Sequence, residues 1–223
     1  MTTRTMNKKR TQEERSRIST EKLIEACVEL ASEKGAAAIT FDMIGERAGY
    51  SRNLAFQKFG SKSALLEAVV NHLHDKVEEA RARAGQEDLS GLEAIYIFCE
   101  TQFMAPDDCN VMRAYSILLS SAIADLSEAL PLFERSHQRS EKTLKRLLTK
   151  GIADGSVRED TDILQASLLI GTQLLGISSQ SIVDQNFSLP RALAEFRKVL
   201  AMAYGTPKAA QVLLEKPLPV IQQ

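Results

Sequence analysis

The chain has 223 residues, 44% hydrophobic and 26% charged, a soluble balance with enough apolar material to bury a sizeable core. Its net charge of −1 selects no partner, but the charge is unevenly placed: residues 1–62 hold twelve Lys/Arg against eight Asp/Glu, and the remainder sixteen against twenty-one. A positive head on an acidic body points to a polyanion at the head, and three cysteines without C-x-x-C spacing exclude a zinc or disulfide framework and fit a reducing cytoplasm.

The opening, MTTRTMNKKR, is basic with no apolar run behind it, so no secretory signal is expected and residues 1–16 are expected to form a flexible basic arm. Over 17–34, Ile18, Leu23, Ala26, Cys27, Leu30 and Ala31 share one side of a helix that Gly35 ends. Thr40 is placed to cap a short helix 41–48, and Ser51 another at 52–59. Ser61 caps a long helix, 62–84, with Leu65, Leu66, Val69, Leu73 and Val77 on its apolar face. After a loop come helices 89–104, 107–122, 126–150, 160–184 and 189–204, with stops at Pro106, Gly151, Gly155 and 186–190. The most apolar stretch, 163–183, carries Gln165, Gln173, Gln180 and five hydroxyl residues, which suits burial against protein better than lipid. Three prolines make 206–223 a partly disordered tail. With no sustained apolar–polar alternation and no Asn-Gly hairpin signal, the fold class is all-α with about nine helices.

Two short helices joined by a three-residue turn that begins at Gly49 form a helix-turn-helix signature. Gly49 supplies the left-handed backbone that the turn needs, and Ala48 is small enough for the helices to cross closely. Ala55 and Phe59, four apart, pin the second helix inward. Arg52, Asn53, Leu54, Phe56, Gln57 and Lys58 are then left outward, a set that matches the major groove: Arg pairs with guanine, Asn or Gln with adenine, and an apolar group meets the thymine methyl.

On the run Thr40-Phe41-x-x-Ile44-Gly45-x-x-Ala48-Gly49-x-Ser51, followed by Leu54-Ala55-Phe56-x-x-Phe59-x-x-Lys62, the chain resembles the TetR family of ligand-responsive transcriptional regulators. The resemblance is specific over residues 17–66, and beyond them only the helical layout and length match. It implies a DNA-binding domain at 17–62 and a ligand-binding, dimerising body at 63–205. The expected partners are double-stranded DNA with a palindromic operator, a small hydrophobic effector and a second copy of the chain. By position, Arg52, Asn53, Leu54, Gln57 and Lys58 would face bases or nearby phosphates, with Thr40 and Lys62 on the phosphate backbone. Two positions depart from the family pattern. Phe56 stands where a Tyr is usual, and Tyr50 where a small aliphatic residue is usual, its hydroxyl being a substitute phosphate contact; Ser51 caps the recognition helix beside it.

For the body, the resemblance implies a four-helix dimer interface, expected to involve Leu168, Gly171, Leu175 and Ser178 with Leu193, Phe196 and Leu200. The effector pocket is expected among Phe98, Phe103, Tyr115, Leu118, Leu119 and Phe133, with Gln102, Ser116 and Gln173 as polar groups. An enzyme is not expected. His72 and His74, two apart on a helix, cannot share a metal; His137 stands among charged residues; and no phosphate loop, G-x-S-x-G or H-E-x-x-H occurs. No cofactor or metal is implied. The alternative is a DNA-binding co-regulator or architectural protein without an effector.

Overall fold

The structure, a computed structural model, describes residues 11–35, 38–83, 89–103, 110–124 and 129–215. They form α1 (Gln12–Lys34), α2 (Phe41–Ala48), α3 (Arg52–Phe59), α4 (Lys62–Arg83) and α5 (Gly91–Thr101), then α6 (Asn110–Ala124), α7 (Leu130–Ala153), α8 (Ile163–Val183), α9 (Leu189–Tyr204) and α10 (Pro207–Glu215). No strand is present among the described residues; Val157 and Gly205 form an isolated antiparallel bridge. The all-α expectation holds, with ten helices among the described residues rather than about nine.

The ends of the chain differ from expectation. Thr11 and Glu14 exchange the two bonds of a capping box, so α1 starts at Gln12 and the last residues of the expected arm are helical. Residues 1–10 lie outside the described residues. At the other end, Pro207 opens a helix where a partly disordered tail was expected, because Leu213 has a fully buried place to go. Arg197 fastens that helix, its Nε donating to the Leu213 carbonyl at 2.6 Å while its guanidinium lies 5.3 Å from the centre of the Tyr96 ring.

Two apolar cores form. One joins α1 to α4 with α6 and the start of α7, through Leu23, Leu30, Ile44, Ala55, Leu65, Val69, Leu118 and Phe133. The other joins α5, α7, α8, α9 and α10 through Leu92, Ile95, Leu148, Ile170, Phe196, Leu200 and Leu213. The first core runs past residue 62: α6 packs on α1, and Leu65 to Leu73 continue the head's interior along α4. Movement of α4 is therefore mechanically tied to the head. In the second core, α5 and α7 cross backbone to backbone, since a Cβ on Gly91 would fall 2.2 Å from the amide nitrogen of Gly151.

Candidate nucleic-acid interface and cavity

The head is assembled by three hydroxyl caps and one tight turn. Thr40 Oγ1 accepts from the Met43 amide at 3.3 Å, Ser51 Oγ from Leu54 at 3.2 Å, and Ser61 Oγ from Ala64 at 3.1 Å. Gly49 adopts φ 75°, ψ 30°, the left-handed conformation expected of it. Sequence reasoning gave no physical role to Gly45. The turn folds back onto it, with the Tyr50 amide donating to the Gly45 carbonyl at 2.7 Å, and a Cβ there would meet the Tyr50 carbonyl oxygen at 2.9 Å. Arg47 clamps α2 to α1 by donating to Glu33 at 2.8 Å and Glu29 at 2.9 Å; these bonds raise the guanidinium pKa and lower that of Glu33.

On α3, Ala55 is completely buried and anchors the helix, which leaves Arg52, Asn53, Phe56 and Gln57 exposed. Phe56 is 53% exposed and meets the edge of Phe41 at 5.7 Å. Three expected contacts are less free. Leu54 and Tyr50 are half-buried, Tyr50 against the first core. Lys58 is half-buried too, and its ammonium donates to the Ser16 carbonyl at 3.1 Å and to the Ser16 hydroxyl, so it ties α3 to α1 instead of standing outward. Arg52 lies 3.6 Å from Asp42, both largely exposed. Thr40 and Lys62, distant in sequence, both line a small cavity of about 50 Å³, so the two expected backbone contacts border the same space.

The body holds a cavity of about 210 Å³ between α4, α6, α7 and α8, with Gln102 at the end of α5. Leu73, His74 and Val77 of α4, Tyr115, Leu144, and Leu168, Gly171, Leu174 and Leu175 of α8 line it, together with Ser136, His137, Ser140 and Glu141 on α7. Of the expected pocket residues, Gln102 and Tyr115 are here. Phe98, Leu118 and Phe133 are not, being almost wholly buried in the two cores. Leu119 and Phe103 pack against those cores, Gln173 is exposed, and Ser116 is buried in a hydrogen bond to Ser178. Large apolar residues in a helical body are usually interior, and only the fold tells interior from wall.

The interface expectation also changes. Leu193, Phe196 and Leu200 are no more than 4% exposed, so the α9 stripe is the protomer's own core. Leu168, Gly171 and Leu175 line the cavity, with Leu168 also 61% exposed. Among the described residues the exposed large apolar side chains of the body are Ile123 on α6, Leu164, Leu168, Leu169 and Val183 on α8, Val199 and Met202 on α9, and Val212 and Leu214 on α10. By length and composition α8 could cross a membrane, and 22% of its most apolar window is buried within the chain, less than the protein-covered helix expected at 163–183.

Burial favours the uncharged forms of three ring side chains in the cavity wall. Burial lowers the pKa of His74 and of His137, and raises that of Tyr115. Burial pushes the Cys27 thiol up to about 12 and the Cys99 thiol higher still, so neither supplies a reactive thiolate. Cys109 lies outside the described residues. Among the described residues no group of three His, Cys, Asp or Glu could hold a metal.

A three-helix head with an outward-facing second helix of a helix-turn-helix, on a larger helical body, defines the class of helix-turn-helix DNA-binding regulators. Residues 23–69 match the sequence profile of the bacterial regulatory proteins of the tetR family. The chain thus carries the TetR-family head on the TetR fold, and that family consists of transcriptional regulators, not enzymes. Three solved structures carry the same fold. One, assigned to the TetR-family transcriptional regulators, is from Rhodococcus sp. (17% identity, 88% of this chain and 99% of that one, TM-score 0.73). Another is a gamma-butyrolactone receptor, an ArpA-like protein (18%, 90% and 94%, 0.69). The third is NalD of Pseudomonas aeruginosa, the secondary repressor of the MexAB-OprM multidrug efflux pump (18%, 86% and 99%, 0.68). No curated protein matches the sequence.

Proposed function

We propose that the protein is a dimeric, cytoplasmic repressor that leaves a near-palindromic operator when a small hydrophobic effector enters the α4–α8 cavity. The reading rests on one observation: α4 begins at Lys62, directly after the helix-turn-helix, and carries Leu73, His74 and Val77 in the cavity wall. A ligand that fits the cavity better in one position of α4 changes the head by the same free energy, and a coupling of about 1–3 kcal/mol alters affinity 5- to 150-fold.

On DNA, Asn53, Gln57 and Arg52 read base edges, Phe56 meets a thymine methyl, and Lys62 and Thr40 hold phosphates. Two copies of α3 in successive major grooves stand roughly 34–36 Å apart, which makes the operator a near-palindrome. The exposed apolar residues Leu164, Leu168, Leu169 and Val183 of α8 supply the surface on which the copies meet. The architectural alternative has no use for a cavity that touches the helix leading from the head.

Selection of bound fragments from a random DNA pool yields the operator. A bound effector should then weaken operator binding, and the operator should weaken effector binding by the same factor. Equal effector affinity for free protein and complex would remove the switch and leave a DNA-binding dimer.

A further inference from the structure

The cavity wall has one polar feature that crosses helices. Ser136 on α7 is 5% exposed and hydrogen-bonds at once to His74 Nε2 on α4, at 2.7 Å, and to the Tyr115 hydroxyl on α6, at 2.8 Å. All three residues line the cavity. A serine hydroxyl has one proton, so the relay runs in one of two directions. With the proton sequence Tyr115 to Ser136 to His74, the phenol donates inward and its oxygen can accept a hydrogen bond from the cavity. In the reverse sequence His74 Nε2 donates to Ser136, Ser136 donates to Tyr115, and the phenol O–H is free to donate. His74 carries its proton on Nδ1 in the first case and on Nε2 in the second.

The rest of the wall offers ions little. Among the described residues no Lys or Arg lines the cavity, and the one carboxylate, Glu141, is paired with Lys145 at 2.6 Å. The Ser167 and Thr172 hydroxyls donate to carbonyls of their own helix. His137 and Ser140 have no side-chain hydrogen bond among the described residues and remain for a polar ligand atom. Among the described lining residues an anion would find only imidazoles, whose charged forms burial disfavours, and a cation only a carboxylate already paired with Lys145; an unpaired buried charge is costly. A neutral head costs only its hydration, which the relay restores.

Building on the cavity's role as effector site, we infer that it takes a neutral amphiphile, an apolar chain or ring bearing one hydroxyl or carbonyl, whose head meets the Tyr115–Ser136–His74 relay and sets its direction. A hydroxyl head donates to Tyr115 and selects the first sequence. A carbonyl head accepts from Tyr115 and selects the second. Because His74 belongs to α4, the head group is registered on the helix that begins at Lys62.

The test uses the full chain and four eight-carbon probes: 1-octanol, 2-octanone, octanoate and octylammonium. Calorimetry and thermal melting read binding, and affinity for the operator selected above reads the switch. The neutral pair should bind at least tenfold more tightly than the charged pair. Ring nitrogen-15 shifts should place the His74 proton on Nδ1 with octanol and on Nε2 with octanone. Ser136→Ala should cut the octanol-to-octanoate ratio at least tenfold. Tyr115→Phe keeps the ring contact with Phe133 and should do the same, so a folding defect in one variant does not decide the result.

Tighter binding of octanoate or octylammonium with release of DNA would overturn the neutral class and leave the effector site standing. Tight neutral binding with no change in DNA affinity would keep the class and remove the switch. No binding by any probe would overturn both.

Discussion

In the head, the residues facing outward come from eight consecutive positions, 52–59, and a single buried alanine orients them. The cavity draws its wall from α4, α6, α7 and α8 with the end of α5, over a hundred positions of sequence. The first site is a property of one helix and its caps. The second exists only after four helices have met. This difference decides which substitutions act locally and which act on the whole body, and it orders the effects below.

The largest effect should come where helices touch through backbone. Gly91→Ala drives a methyl into the Gly151 main chain, which cannot rotate away. It should cost about 3 kcal/mol or more, read as a lower urea midpoint, and the cavity should lose its shape with it. Gly45→Ala meets the Tyr50 carbonyl at 2.9 Å, a milder clash in a smaller unit. It should cost roughly 1–3 kcal/mol, and because it wedges α2 from α3, DNA binding should fall by more than stability does. If Gly45→Ala left DNA affinity intact, the helix-turn-helix angle would not matter to binding.

Next come the residues proposed to contact bases. Asn53→Ala and Gln57→Ala should each cost about 1–3 kcal/mol at particular base pairs while leaving the melting temperature unchanged, because both side chains are exposed. Competition binding against single-base operator variants measures this. A uniform loss over all variants would demote either residue to a phosphate contact. Lys62→Ala should do what those two do not: weaken every sequence alike and reduce the slope of log affinity against log salt by about one. Lys58→Ala should barely change that slope, since its ammonium is already held by Ser16.

The same contrast explains what the sequence disclosed. Caps, turns and four-residue spacings are local, so the chain order of helices and the identities of Thr40, Gly49, Ser51 and Ala55 could be read directly. Arg52, Asn53, Phe56 and Gln57 followed once Ala55 was placed inward. Lys58 was misplaced because its partner, Ser16, lies 42 positions away. Leu193, Phe196 and Leu200 have the spacing of an apolar stripe, but spacing does not say whether a stripe meets its own chain or another; here the chain itself buries all three, Phe196 and Leu200 against α5, α8 and α10. Ser136 gave no signal at all. A serine in a charged helical stretch gains meaning only when α4 and α6 bring His74 and Tyr115 to it.

The smallest effect concerns Asp42, a carboxylate at the start of α2 and 3.6 Å from Arg52. Both side chains are about two-thirds exposed, at 67% and 65%, so the pair contributes at most about 1 kcal/mol to stability. As an acid in the first turn, Asp42 also gains slightly from the helix dipole. Against DNA its sign changes. The carboxylate offsets Arg52 on the face proposed to meet DNA, and binding there must either break the pair or carry the negative charge in. Asp42→Asn keeps the size and a hydrogen-bonding oxygen while removing that charge. Stability should shift by under about 0.5 kcal/mol, and affinity for all DNA sequences should rise a few-fold at low salt, the gain shrinking as salt screens it. A fall in operator affinity, confined to the base pair that Arg52 reads, would mean that Asp42 holds the guanidinium in its reading position, and the pair would then belong to recognition rather than oppose it.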